Sequence, residues 1–154
     1  MTAERNFRPR GLGEIAIRCA DMRVMVEFYE NVIGLERLEG GPESPITFFR
    51  IAEGFGGHTQ VLALFDHATA ARPSQIQSET DRPVTGNQSA LHHIALSLPF
   101  AEQQAVIQWY EQIGQPYRAQ QFGWIGWRGI FTQDPEGNTV ELVAYDQSML
   151  DDQA

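Results

Sequence analysis

The reactive side chains of this chain are carboxylates and histidines. Twenty residues are Asp or Glu, four are His, one is Cys, and the eleven basic residues are all Arg. With no Lys in the sequence, Schiff-base catalysis is excluded, and so is a phosphate-binding loop built on Lys. The lone Cys19 reads as structural. What remains is acid–base and metal-assisted chemistry. The residues placed to carry it are His93 in LHHIALSL (91–98), Glu141 in DPEGNTVEL (134–142), and Glu14 at the head of EIAI (14–17), while His92 reads as a partly exposed neighbour.

Those residues fall on segments with strand periodicity. In HHIALSL, His93, Ala95 and Ser97 share one face, and His92, Ile94, Leu96 and Leu98 share the other, which is apolar enough to pack under a helix. In EIAIR, Glu14, Ala16 and Arg18 take the face matching His93. In VELVAY, Glu141 and Val143 lie together. Between the strands, Met25, Phe28, Tyr29 and Val32 mark one helix, opened by Asp21 and stopped by Gly34. Val106, Trp109, Tyr110 and Ile113 mark a second helix, stopped by Gly114. DPEG is a turn with Pro in its second position.

Composition narrows the class further. A formal charge of −9 with no basic cluster argues against nucleic acid as a partner. The N-terminal stretch MTAERNFRPRG has no apolar h-region, and no apolar run reaches the roughly 20 residues a membrane span needs. One cysteine fits a reducing compartment, so a cytoplasmic location and no membrane partner are expected.

The two halves of the chain repeat. GHTQVLALFD (57–66) superposes without a gap on GNTVELVAYD (137–146), with Gly, Thr, Leu and Asp identical. FYE (28–30) matches WYE (109–111), Ile33-Gly34 matches Ile113-Gly114, and EIAI (14–17) matches HIAL (93–96). Four matches in the same order indicate duplication. The expected organisation is a flexible arm (1–12), a first βαβββ module (13–66), a linker loop rich in Ser, Thr, Gln and Pro (67–90), a second module (91–146) and a frayed acidic tail (147–154). The fold class is α+β. A four-stranded sheet with one helix cannot cover both its faces, so the two modules are expected to pair into one curved, barrel-like structural domain.

With these features on view, residues 13–146 resemble the vicinal oxygen chelate superfamily of glyoxalases, epimerases, extradiol dioxygenases, fosfomycin-modifying transferases and bleomycin-resistance proteins. The resemblance rests on the stretch from Asp21 to Leu35, on HHIAL (92–96), and above all on DPEGNTVEL (134–142). It implies metal ligands on the first and fourth strands of each module. Those positions are Glu14 and His93 on the first strands, and Val61 and Glu141 on the fourth. Glu14, His93 and Glu141 would then hold a divalent ion (Fe, Mn, Zn or Ni) with open positions for two substrate oxygens. Glu141 and Glu14 would also serve as the catalytic carboxylates. Val61 departs from four-ligand members, and Glu14 stands where His or Gln is usual.

Two functions follow as expectations. The first is a metal-dependent dioxygenase or lyase/isomerase acting on a small organic molecule with adjacent oxygens. The alternative is a metal-free small-molecule binding or resistance protein of the bleomycin-resistance type. Trp124, Trp127 and Arg128 in FGWIGWRG are the candidate substrate-binding residues, with core packing and a surface ion pair as their plain alternatives. Glu141 paired with an Arg, Glu14 at a solvent-exposed strand end, and His93 in a core are the corresponding alternatives for the ligand set. The resemblance further implies a homodimer.

Overall fold

A computed structural model describes residues 5–69 and 89–152. The chain divides into two compact units, residues 1–81 and 82–154. Of the expected linker, residues 70–88 lie outside the described part. Among the described residues no helix is long and apolar enough to cross a membrane.

The first unit runs β1 (Glu14–Cys19), α1 (Met22–Glu27), a π-helical turn (Phe28–Val32), β2 (Glu36–Glu39), β3 (Ile46–Ala52) and β4 (Gln60–Asp66). Its sheet has the order β1-β4-β3-β2, with β1 parallel to β4 and the other pairs antiparallel. Asp21 caps α1 by accepting from the backbone N–H groups of Arg23 and Val24. Met22, Met25, Val26 and Tyr29 follow at helical spacing and are buried. They cover the sheet face that carries Thr47, Phe49, Leu62 and Leu64, all fully buried. Residues 5–12 are exposed and precede the first strand.

The second unit repeats the order: β5 (Ile94–Ser97), α2 (Gln103–Ile113), β6 (Arg118–Phe122), β7 (Trp127–Gln133) and β8 (Thr139–Tyr145). The sheet order is β5-β8-β7-β6, again with only the first pair parallel. The α+β class and the βαβββ order of each half agree with the sequence reading. Here Ile94, Leu96, Val140 and Leu142 are the buried face. α2 is tied to that sheet by Gln103, whose Nε2 donates to the carbonyls of Arg128 (2.6 Å) and Leu142 (3.3 Å).

Two expectations need correction. On the inward stripe of α2, Gln103 and Tyr110 are buried and Val106 and Ile107 half-buried, whereas Trp109 and Ile113 are more than a third exposed. Both stripes have helical spacing, and a polar Gln leads the buried one because its amide finds backbone carbonyls to bond. The part of the expected tail that is described, residues 147–152, is also more ordered than expected. Asp146 caps a short 3-10 turn (Gln147–Met149), Met149 is buried, and the Asp151 N–H donates to the Gly123 carbonyl at 2.8 Å.

Tyr110 is fully buried, and its hydroxyl has no hydrogen-bond partner among the described residues. Burial pushes its phenol up to about 12. Folding therefore holds the proton, and this contribution is lost as pH rises from about 10 through about 12. Tyr110→Phe removes an unpaired buried donor, so it is expected to raise unfolding free energy by about 1 kcal/mol at neutral pH. The variant should also lose less stability than the wild type between pH 10 and 12. Urea unfolding at pH 7 and pH 11 checks both expectations.

Candidate functional site

The Asp-Pro-Glu-Gly-Asn turn between β7 and β8 sets the site. Asp134 is buried and accepts from the Glu136 N–H (2.9 Å), the Asn138 N–H (3.0 Å) and Asn138 Nδ2 (2.8 Å). Gly137, at φ 87°, supplies the left-handed residue the turn requires. A hairpin pinned this way fixes the register, and it places Phe131 opposite Glu141. On the other flank of β8, Glu141 pairs with Ala95. Side-chain alternation then puts Ala95, Glu141 and Phe131 on the face turned away from α2.

On that face His93 and Glu141 come together. His93 Nε2 lies 3.1 Å from Glu141 Oε2, and the Glu141 side chain is 7% exposed. His93 also stands edge-on to the Phe131 ring, 6.1 Å between centroids. His92 joins the chain through its Nδ1, 2.7 Å from His93 Nδ1. Each contact needs one hydrogen, so one proton sits between the two rings and another between His93 and Glu141. His92 received no role from the sequence, because strand alternation puts neighbours on opposite faces. The strand begins only at Ile94, so alternation does not govern these two rings.

Gly129 makes room for the carboxylate. A Cβ on Gly129 would run into Glu141 Oε1 and the Phe131 ring. Gly129→Ala is therefore expected to push Glu141 off His93 while leaving every acid and base in place. Its cost in stability should be about 1–3 kcal/mol. The His93–Glu141 contact should be lost, and the imidazole nitrogen NMR shifts of His93 read this.

Glu14 lies in the first unit, exposed, and pairs with Val61 on the face turned away from α1. The ladder adds something the repeat did not show. Glu14 pairs with Val61, the counterpart of Glu141, but Glu141 itself pairs with Ala95. Measured against the fourth strand, Glu14 therefore corresponds to Ala95 rather than His93. The two-residue shift keeps the face and changes the position along the strand. Within either unit, no group of three or more His, Cys, Asp and Glu gathers to hold a metal among the described residues. The fit to a divalent ion thus rests on an imidazole nitrogen and a carboxylate oxygen that already converge, a donor pair suited to such ions.

The candidate substrate residues separate. Trp127 shares the Glu141 face, pairing with Tyr145, four residues along β7 from Phe131 and so about 13 Å away. Trp124 is 72% exposed in the turn before β7. Arg128 pairs with Ala144 and lies on the opposite, α2-covered face. The Arg on the Glu141 face is Arg118, which pairs with Phe131 and holds its guanidinium 5.6 Å from that ring centroid. Hairpin register decides between the two arginines, and FGWIGWRG does not reveal it.

Comparison with known proteins agrees with this architecture. The Glyoxalase/Bleomycin resistance protein/Dioxygenase superfamily model matches residues 11–142. No curated protein sequence matches. Among solved structures, a lactoylglutathione lyase from Agrobacterium tumefaciens superposes with a TM-score of 0.63 at 22% identity, over 88% of this chain and 94% of that one. A glyoxalase/dioxygenase from Nostoc punctiforme gives 0.64 at 16% identity, over 95% and 100%. A fosfomycin resistance protein from Listeria monocytogenes gives 0.59 at 17% identity, over 92% and 98%. At these identities the structures speak for the fold alone. The repeated βαβββ units and the family match over 132 of 154 residues (11 through 142) establish that the chain belongs to the Glyoxalase/Bleomycin resistance protein/Dioxygenase superfamily.

Proposed function

We propose that the chain is a divalent-metal-dependent enzyme acting on a small organic substrate with adjacent oxygens, by dioxygenase or lyase/isomerase chemistry. Glu14, His93 and Glu141 are the residues that would hold the ion. The observation that carries this reading is the His93–Glu141 contact at 3.1 Å, on the sheet face opposite the helix. A bound ion would act as a Lewis acid toward the substrate oxygens. Glu141 holds a proton with His93 at Oε2 and, nearly closed to water, is placed to pass it to or from substrate. His92 fixes the ring of His93 by bonding its other nitrogen. Phe131 forms an apolar floor beside the pair. A cytoplasmic homodimer is part of the same reading.

The metal-free binding protein is the second reading, and Val61 favours it. The fourth strand of the first unit offers no donor where the second unit offers Glu141. Against it, Glu141 is paired with His93 and with no Arg among the described residues.

Metal analysis of the purified protein separates the two readings, together with thermal unfolding after addition of Fe2+, Mn2+, Zn2+ or Ni2+. Bound metal near one equivalent, or a rise in Tm of several degrees with one of these ions, is the expected outcome. Absence of both would favour the binding protein.

A further inference from the structure

The second sheet carries a row of three side chains on the face turned away from α2: Arg118 on β6, Phe131 on β7 and Glu141 on β8. Strand spacing puts the outer two Cα atoms about 10 Å apart, with the Phe131 ring between them. Arg118 is exposed, and its guanidinium lies 5.6 Å from the centroid of the Phe131 ring. It makes no ion pair there, although the chain carries a formal charge of −9. A cleft of about 530 Å3 opens at this end of the row, lined by Arg118, Phe131, Gln133, Asp134 and Thr139 among others. The one carboxylate in that wall, Asp134, is turned inward onto the turn donors of Glu136 and Asn138.

We propose that Arg118 is the anchor for a substrate carboxylate, so that the natural substrate is an anionic molecule with a flat apolar body lying on Phe131. This rests on the reading of His93 and Glu141 as the reacting end, and it adds the substrate class. A planar guanidinium accepts a carboxylate through two parallel N–H donors and remains charged at any working pH. Phe131 offers the ring surface between the ends, with His93 at its far edge. The carboxylate then sits two strands from Glu141, which sets both the length and the orientation of the molecule.

Titration with phenylacetate and with phenylacetamide, followed by amide NMR shifts, tests this. The two probes differ only in the anionic group. Wild-type protein should bind phenylacetate about tenfold more tightly than the amide, with shifts at Phe131 and Thr139. Arg118→Gln should lose that preference with Tm unchanged, and Arg118→Lys should keep part of it. Equal binding of both probes by the wild type, or a preference that survives Arg118→Gln, would overturn the proposal. The preference is read without metal. Its presence alongside a failed metal test would sink the enzymatic reading alone, and its absence alongside a successful metal test would sink the anchor alone.

Discussion

Glu141→Gln is expected to lower affinity for Mn2+ by about 100-fold or more while leaving the fold intact. The estimate is conservative, since even partners that only orient a metal ligand are worth 10- to 100-fold. Gln keeps the shape of the side chain, and its carbonyl oxygen can still accept from His93 Nε2, 3.1 Å from the present carboxylate. What it removes is the negative charge and the second acceptor oxygen that a hard divalent ion requires. Calorimetric titration with Mn2+ gives the affinity, and thermal unfolding verifies that the variant is folded. An affinity within a few-fold of the wild type would remove Glu141 from the ligand set.

The largest expected effect on stability is at Tyr29. It is fully buried, edge-on to Phe28 at 5.0 Å between centroids and tilted against Phe49 at 6.3 Å. Tyr29→Ala leaves a ring-sized gap between the π-helical turn after α1 and the sheet. The cost should be about 3–5 kcal/mol, a large share of the stability of a domain this size. The repeat supplies an internal contrast, because Tyr29 of FYE corresponds to Tyr110 of WYE. Trimming the ring at position 29 should be severe, whereas removing only the hydroxyl at position 110 should be mildly stabilising. Urea unfolding of both variants under one set of conditions measures the difference.

Faces were legible in the sequence and registers were not. Alternation put Glu141 on the face free of its helix, because a strand buries every second residue against it, whereas His93 stands one residue ahead of its strand. DPEGN announced the hairpin that carries Glu141, since each residue of that turn has a local reason to be there. Alternation is blind to sliding by two residues. The repeat therefore aligned Glu14 with His93, while the ladder aligns it with Ala95. The same blindness singled out Arg128 and passed over Arg118, whose position depends on which residue of β7 it meets. Gly129 was invisible for another reason: its role is the space it leaves for Glu141, and an absent side chain has no pattern. In α2, two stripes of helical spacing compete, and only the carbonyls offered to Gln103 decide between them.

Anomalous diffraction at the manganese edge, from crystals grown with Mn2+, would locate an ion held by His93 and Glu141. One strong peak is expected about 2.0–2.3 Å from both His93 Nε2 and a Glu141 oxygen, with the direct contact between those two side chains broken. A structure that leaves His93 and Glu141 bonded to each other at 3.1 Å, with the metal elsewhere or absent, would contradict it.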